Sequence, residues 1–429
     1  AGRGGGILFG GNFEDPLDRP LLAADLDAVV GDRPALLARA DMHSCIVSSA
    51  LLRAFDLDDL EGVERDAGGR PTGYLREQGA RSAWVWFDAH LAPDQQRDAL
   101  LAAVRIACSK GVSSVHEMYV VEWRGWDSLA VVTETLQHAA LNVVLYVATP
   151  EVERIQEMGL TRIGGDLFLD GAFGSHTAWL EEPYESTPPS GVPGCGISYR
   201  SDEELHSFFL RAQRAGLQVG VHAIGDAAID QALRGWEKVA AEAGEGAVRA
   251  LGHRLEHFEC ASDEHISRAA LLGLRISVQP AFDRLWGGAH GMYARRIGHR
   301  RARAMNRFRT MAGAGLVVGA GSDSTVTPLD PFLQMAALRE HHVEGERLGP
   351  LEALRMHTLG SHALAGGDGA RGSIEAGKHA DLALLDRDPL EVDTGALLAT
   401  EVIGTWIEGR RVWPASEAEA DPATGGGRG

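Results

Sequence analysis

The sequence predicts an α/β fold, a (β/α)8 TIM-type barrel whose first strand is missing, with a small β-domain formed in part by the C-terminal segment. From residue 111 onward, short β-branched runs alternate with helical patterns. The runs are almost entirely apolar, which is typical of parallel strands covered by helices on their outer face. The segment after residue 366 has a strand pattern outside this alternation and predicts the β-domain.

Seven barrel strands are predicted by these apolar runs. They lie at 111–118, 141–148, 166–171, 217–225, 253–259, 274–280 and 316–323. Because a closed barrel of this type has eight strands, we expect the first one to precede residue 1. An open barrel would expose two strand edges. A homodimer that supplies the strand in trans is the alternative.

Helices between these strands are marked by start and stop signals. Residues 201–216 begin with a capping box of Ser201 and Glu204 and end at a glycine. Residues 226–244 space apolar positions at helical intervals and also end at a glycine. Residues 262–273 repeat the pattern of a serine start and a glycine stop.

The remaining segments define the predicted domain organisation. Residues 1–365 are assigned to the barrel, with an irregular insertion near 20–100. Within the insertion, 32–57 is interpreted as a strand followed by a helix, and 68–77 as a turn. Residues 366–413 are assigned to the β-domain, and 414–429 are predicted to be a disordered tail.

Composition excludes several classes of partner. A net charge of −19 argues against binding to nucleic acid or to an anionic membrane surface, both of which favour basic patches. No apolar run reaches the ~18 residues that a membrane span needs. The four cysteines are scattered and form no C-x-x-C pair, which fits a reducing cytoplasm.

Polar residues at the predicted strand ends indicate where the chemistry lies, because catalytic groups of a parallel barrel gather there. They are His116, Glu117, Asp166 or Asp170, His222, His257, Gln279 and Asp323. Several imidazoles with carboxylates are the composition of a divalent metal site. Each residue alone has a structural alternative, such as a helix cap for Asp323. Pro328 and Pro331 weaken that alternative, because they place the next helix start several residues later.

Six segments in order resemble the YtcJ-like branch of the metal-dependent amidohydrolase superfamily, a branch that includes N-substituted formamide deformylases. The segments are FLDGAFGSHTAWLEEPY, VHAIGDAAIDQAL, RLEHFE, SVQPAF, GAGSDSTVTPLDPF and GSIEAGKHADLALLD. The resemblance extends from about residue 25 to 413. It implies a barrel with a small β-sandwich built from both chain termini. It also implies a centre of one or two metal ions, usually zinc, that hydrolyses amide-type bonds.

The resemblance also implies roles for individual residues. His222 and His257 match metal ligands, and Asp323 matches an aspartate that is both ligand and general base. His43 stands where the family reads Asp-Gly-His and would line the substrate pocket. We assign His116, Glu117 and Gln279 to substrate orientation.

The chain departs from the family pattern in two places. It has no His-x-His, which supplies two ligands on the family's first strand, and this agrees with the count of seven strands. Asp166 stands where the family has a metal-bridging lysine, so we expect Asp166 either to bind a metal or to lie beside the site. Asp170 is expected to hold the following turn by accepting hydrogen bonds from backbone N–H groups.

We therefore predict metal-dependent hydrolysis of a carbon–nitrogen bond, of amide or formamide type, in a small molecule. Trp179, Tyr184, Trp286 and Tyr293 predict an aromatic or apolar part of the substrate. One alternative is a catalytically impaired amidohydrolase-like protein or fragment that binds a small ligand. Another is a metal-dependent barrel isomerase or lyase.

Overall fold

A five-stranded mixed sheet occupies the first part of the chain in the computed structural model, which describes residues 7–13, 21–57, 60–187 and 194–414. Its strands are β1 (Leu8–Phe13), β2 (Ala35–Arg39), β3 (Ser44–Val47), β4 (Val63–Arg65) and β5 (Pro71–Arg76). Their order is β1-β2-β3-β5-β4, and the β1–β2 pair is parallel. The predicted turn at 68–77 is wrong, because most of it is strand β5. Residues 32–57 form two strands and a short helix instead of one strand and a helix.

Seven parallel strands follow and confirm the seven predicted runs. They are β6 (Ser114–Val120), β7 (Asn142–Ala148), β8 (Arg162–Phe168), β9 (Gln218–Ala223), β10 (Arg254–His257), β11 (Arg275–Val278) and β12 (Val317–Ala320). Strands β8 to β12 form one sheet in chain order, and β6 pairs with β7 beside it. Within the described ranges no strand pairs with the outer edge of β6 or β12, so these strands do not close into a barrel.

The described helices are mostly interleaved with these strands in the chain, whereas the first three contact the N-terminal sheet. They are α1 (Ala23–Val30), α2 (Ser49–Leu52), α3 (Gln78–Ala89), α4 (Pro93–Ser109), α5 (Val121–Gln137), α6 (Val152–Glu157), α7 (Asp202–Arg214), α8 (Asp226–Ala243), α9 (Glu245–Leu251), α10 (Asp263–Leu272), α11 (Pro280–Trp286), α12 (Met292–Ala302), α13 (Phe308–Gly313), α14 (Pro331–Arg339), α15 (Pro350–Arg355), α16 (Ser361–Leu364) and α17 (Thr394–Leu398), with a 3-10 turn at Glu344–Glu346 and a π-helical turn at Met356–Gly360. The predicted capping box of α7 is present, since Ser201 Oγ accepts from the Glu204 N–H and the Glu204 carboxylate accepts from the Ser201 N–H. None of the described helices is both long and apolar enough to cross a bilayer.

The largest hydrophobic core lies between the parallel strands and their covering helices. Every residue of β9 and β10 is buried. Outside them, the Trp236 indole of α8 stacks on Phe209 of α7, with ring centroids 4.1 Å apart. Such close packing of helices on fully buried strands fixes the positions from which β9 and β10 present their last side chains.

A three-stranded antiparallel sheet closes the described chain. It contains β13 (Leu382–Leu385), β14 (Val402–Ile407) and β15 (Arg410–Trp413) in sequence order. It confirms the strand pattern expected after residue 366, while the division into domains and the sandwich stay predictions. Of the predicted tail at 414–429, residues 415–429 lie outside the described residues.

Candidate metal centre

One cavity of about 1240 Å³ is lined by eight of the side chains that the sequence singles out as metal ligands or substrate-binding residues. These side chains are His43, His116, Glu117, Asp166, His222, His257, Gln279 and Asp323. His222 and His257 lie at the carboxyl ends of β9 and β10, and Asp323 follows β12. The fold therefore gathers the strand-end residues, and it adds His43 from the turn between β2 and β3.

Asp166, His222 and His257 form the closest group of potential ligands. One ligand atom from each lies within 4.8 Å of the others. Oδ1 of Asp166 is 3.3 Å from Nδ1 of His222 and 3.8 Å from Nε2 of His257. A carboxylate oxygen and two imidazole nitrogens at this spacing suit a divalent ion bound between them.

The other nitrogen of each ring is held by the protein. His257 Nδ1 lies 2.8 Å from Oε1 of Gln279, so it carries the proton and donates it to that oxygen. His222 Nε2 lies 3.3 Å from the backbone oxygen of Gly171, so it is the donor in that ring. These bonds leave His257 Nε2 and His222 Nδ1 as the nitrogens that face Asp166, and each can bind a metal once it carries no proton. Such partners fix the tautomer and orientation of metal-binding histidines.

A distortion of β8 places Asp166 opposite the two imidazoles. The register between β8 and β9 shifts between Gly164 and Phe168. Gly164 has φ +80°, and a Cβ there would lie 2.0 Å from the backbone oxygen of Gly220. Gly165 also has φ +80°. Only glycine fits these positions, and the bulge they form re-aims the following side chain.

Two of the site residues have a strained backbone conformation. His257 has φ 73° and Asp323 has φ 50°, a left-handed conformation that is uncommon for residues other than glycine. Residues held in this region cluster at functional sites, where the surrounding structure imposes the conformation.

Electrostatics within the group keep Asp166 ionised and His222 neutral, as a metal requires, whereas His257 holds a proton that a metal would displace. Burial alone would raise the pKa of Asp166, but hydrogen bonds and charges from His222 and His257 outweigh it and lower that pKa. Burial lowers the pKa of His222 to about 4, so its ring is neutral. For His257, burial is outweighed by Asp166 and Asp323, which raise its pKa to about 10. A cation at this point would take the place of the His257 proton.

Asp323 lies in the same cavity, outside the close group of three. Burial raises its pKa to about 6, against the positive charges of His257 and His43. Its carboxylate in turn raises the pKa of His257, so the two groups interact electrostatically. This location is compatible with a group that exchanges a proton beside the metal centre.

His43 packs against the centre from the N-terminal sheet. Its ring lies 5.8 Å from that of His222 and 5.3 Å from that of Phe168, measured between centroids. Its Nδ1 is 3.3 Å from Oε2 of Glu77. Glu77 outweighs burial and raises the pKa of His43 to about 9.

His116 and Glu117 line the cavity farther from the group of three. Nδ1 of His116 accepts a hydrogen bond of 2.8 Å from the buried Arg254, and burial together with that charge lowers the pKa of His116. The carboxylate of Glu117 lies 4.0 Å from Arg124. Nδ1 of His116 is thus already bound to the guanidinium of Arg254.

Asp170 binds backbone N–H groups, as predicted. Its carboxylate accepts hydrogen bonds from Trp179, Ile224 and Gly225 at 2.8 to 3.0 Å. It therefore ties the loop after β8 to the start of α8, next to His222.

The aromatic lining differs in part from the prediction. Trp286 and Tyr293 line the cavity. Trp179 and Tyr184 pack into the hydrophobic core, because the loop that carries them folds back on Asp170. Their place is taken by Trp123 and Phe168, stacked at 5.1 Å, which the sequence does not single out.

Comparisons with known proteins agree with this site. The amidohydrolase family model matches residues 13–413. The amidohydrolase-family protein YtcJ of Bacillus subtilis (strain 168) is 29% identical over 423 residues, which cover 91% of this chain and 76% of that protein. An N-substituted formamide deformylase of Arthrobacter pascens is 28% identical over 424 residues, covering 90% of this chain and 74% of that enzyme.

A solved structure is similar over the same range. The crystal structure of an uncharacterised metal-dependent hydrolase from Pyrococcus furiosus matches with a TM-score of 0.70 and 28% identity, covering 91% of this chain and 80% of that one. The seven parallel strands thus belong to a TIM-barrel-like α/β fold. With a family match over nearly the whole chain and metal-type donors at the strand ends, the chain belongs to the amidohydrolase family of metal-dependent hydrolases.

Proposed function

We propose that the chain hydrolyses a carbon–nitrogen bond of amide or formamide type in a small molecule, with zinc bound by Asp166, His222 and His257. The observation that carries the proposal is that one Asp166 oxygen lies 3.3 Å from Nδ1 of His222 and 3.8 Å from Nε2 of His257. Three metal-type donors at this spacing favour an enzyme over a protein that only binds a ligand.

The donor set favours zinc among divalent ions. Two imidazoles and one carboxylate are the ligands of several hydrolytic zinc sites, whereas calcium and magnesium favour all-oxygen sites. When bound, such an ion lowers the pKa of a water molecule and polarises a carbonyl oxygen.

Asp323 is assigned the proton transfer. It would accept the proton of the attacking water and then donate it to the leaving nitrogen. Burial raises its pKa to about 6, nearer to neutral pH than that of a solvated carboxyl, and this suits a group that must both take and give a proton.

The cavity walls suggest what the substrate carries next to the scissile bond. Trp123, Phe168, Trp286 and Tyr293 surround part of the cavity with aromatic surface. An apolar or aromatic substituent on the amide fits this wall better than a charged one. The deformylase name of one relative supports a formamide as the first substrate class to test.

We also infer a reducing compartment, the cytoplasm, as the location. The four cysteines are free thiols. Two of them, Cys45 and Cys108, are buried, where a thiol is shielded from oxidation.

Replacement of Asp323 by Asn tests the assignment. In zinc-loaded protein, we expect D323N to lower kcat for an N-substituted formamide by about 10²- to 10⁴-fold, the usual contribution of a general acid–base group. Zinc content, measured by mass spectrometry of the purified protein, should stay near stoichiometric. Turnover is followed by release of the amine.

Two controls make the result interpretable. His222→Ala should lose both zinc and turnover, because it removes a ligand. Asp202→Asn changes an aspartate at the start of α7 that does not line the cavity, and it should change neither. If D323N turned over substrate at the wild-type rate, Asp323 would have no role in proton transfer. If the wild-type protein neither bound zinc nor hydrolysed any amide, the proposed function would be refuted.

A further inference from the structure

We propose that Glu77 is a positioning residue that fixes the ring of His43, so that His43 Nδ1 is committed to Glu77 and Nε2 is presented to the substrate. The identity of the substrate in this inference rests on the proposed function. The geometry of Glu77 and His43 does not depend on that function. No sequence pattern marks Glu77.

Glu77 holds His43 at two points. Its backbone N–H donates to the backbone oxygen of His43 at 2.9 Å. Its side-chain Oε2 lies 3.3 Å from Nδ1 of the same residue. Main chain and ring are therefore both fixed by one residue, which restricts the imidazole more than a single side-chain contact would.

The backbone of Glu77 adopts an unusual conformation to make these contacts. It lies between β5 and α3 with φ 42° and ψ −107°, in a region that residues with a Cβ rarely occupy. Such strain persists where neighbouring contacts impose it, and it is found most often at functional sites. A glutamate needed only for a surface ion pair would not require this conformation.

A second side chain binds the same carboxylate oxygen of Glu77. The Tyr199 hydroxyl donates to Oε2 of Glu77. Tyr199 is itself tied to the end of β8, because its backbone N–H donates to the Leu169 oxygen at 2.9 Å. A continuous line of contacts thus runs from the strand that carries Asp166, through Tyr199 and Glu77, to His43.

The contacts that run from β8 to His43 matter chemically because of where His43 lies. Its side chain is 6% exposed and lines the cavity with Asp166 and His222. Because a carboxylate can only accept, the ring nitrogen facing Glu77 is a donor. Nε2 is then the nitrogen available to a bound amide, and its direction is set by Glu77.

Nuclear magnetic resonance of the protein with ¹⁵N-labelled histidine tests the geometry without substrate. A ring N–H bonded to a carboxylate gives a proton signal at unusually low field. We expect such a signal to be absent in H43Q, which assigns it, and absent or strongly shifted in E77Q. The signal should persist in E64Q. This control makes the same substitution at Glu64, which forms an ion pair with Arg76 in the same sheet. An unchanged signal in E77Q would overturn the inference.

A double-mutant cycle tests the consequence for catalysis. We expect E77Q to lower kcat for the formamide about 10-fold or more with little change in KM, because the ring is misdirected but the cavity remains. H43Q/E77Q should be no slower than H43Q, since Glu77 acts only through His43. E64Q should resemble the wild type.

The outcomes separate this inference from the proposed function. Additive losses in the double variant, or an effect of E77Q that matches its loss of thermal stability, would assign Glu77 a structural role only. If the wild type hydrolyses no amide, the proposed function fails, and the resonance experiment alone decides whether Glu77 positions His43.

Discussion

At the scale of single residues, the two imidazoles of the metal centre differ in the nitrogen that they leave free. His257 donates from Nδ1 to Gln279, and His222 donates from Nε2 to the Gly171 oxygen. The rings therefore approach Asp166 through different atoms. A sequence shows that histidines end two neighbouring strands, but it does not show which nitrogen each will present, because that depends on partners from other loops.

The bond to His257 makes Gln279 a testable support of the metal site. Replacement of Gln279 by Ala frees the His257 ring to rotate and to change tautomer. We expect the Kd for zinc to rise about 10- to 100-fold, the usual cost of losing such a partner. The Kd is measured by competition with a chromogenic chelator.

Gln213 offers a matched control for that measurement. Its Oε1 binds Nε2 of His253, a buried histidine outside the cavity lining, at the same 2.8 Å. Q213A should lower the free energy of unfolding without changing the Kd for zinc. Equal zinc affinity in Q279A and the wild type would show that Gln279 does not orient His257.

At the scale of strands and helices, local sequence signals predict a structural feature reliably when that feature depends on a single element. Ser201 and Glu204 predict the start of α7, and both bonds of the capping box are present. The direction of the Asp166 side chain does not follow from one element, because it depends on a register shift between two strands. The Gly164–Gly165 pair was the available signal, since glycine inside a strand often marks a bulge.

The packing of α7 and α8 on β9 and β10 also buries a histidine, which makes stability depend on pH. His253 precedes β10, accepts from the Val219 N–H at 3.0 Å and stacks on Trp236 with centroids 3.8 Å apart. Burial lowers its pKa to about 3, well below the ordinary histidine value of 6.5. Below pH 6.5 the unfolded chain binds a proton that the folded chain does not.

This histidine should therefore destabilise the fold as the pH falls. The folded state loses up to about 1.4 kcal/mol per pH unit from His253 between pH 6.5 and about 3. We expect the free energy of unfolding of H253Q to fall less steeply across pH 6.5 to 4.5 than that of the wild type, measured by urea unfolding. H299Q, at an exposed histidine, should keep the wild-type slope. Parallel slopes for H253Q and the wild type would refute a neutral, buried His253.

At the scale of the whole molecule, alternation of apolar strands and helices was enough to predict the parallel part of the fold. All seven runs contain strands, because strands covered by helices leave a clear apolar pattern. Of the N-terminal sheet only one strand, within 32–57, is predicted, since its strands are three to six residues long and too short to show a clear period. Contacts between that sheet and the strand ends, such as His43 to His222, therefore lie beyond what periodicity can indicate.

A metal ion in this arrangement would join three neighbouring strands, since Asp166, His222 and His257 come from β8, β9 and β10. A ligand that binds only the folded state stabilises it by RT ln(1 + [L]/Kd), about 2.7 kcal/mol at a free concentration of 100 Kd. We expect chelation to lower the melting temperature by several degrees and added zinc to restore it, as measured by scanning calorimetry. H222A should melt at the chelated temperature and respond to neither treatment. A zinc response preserved in H222A would place the ion elsewhere and remove the physical basis of the proposed hydrolase.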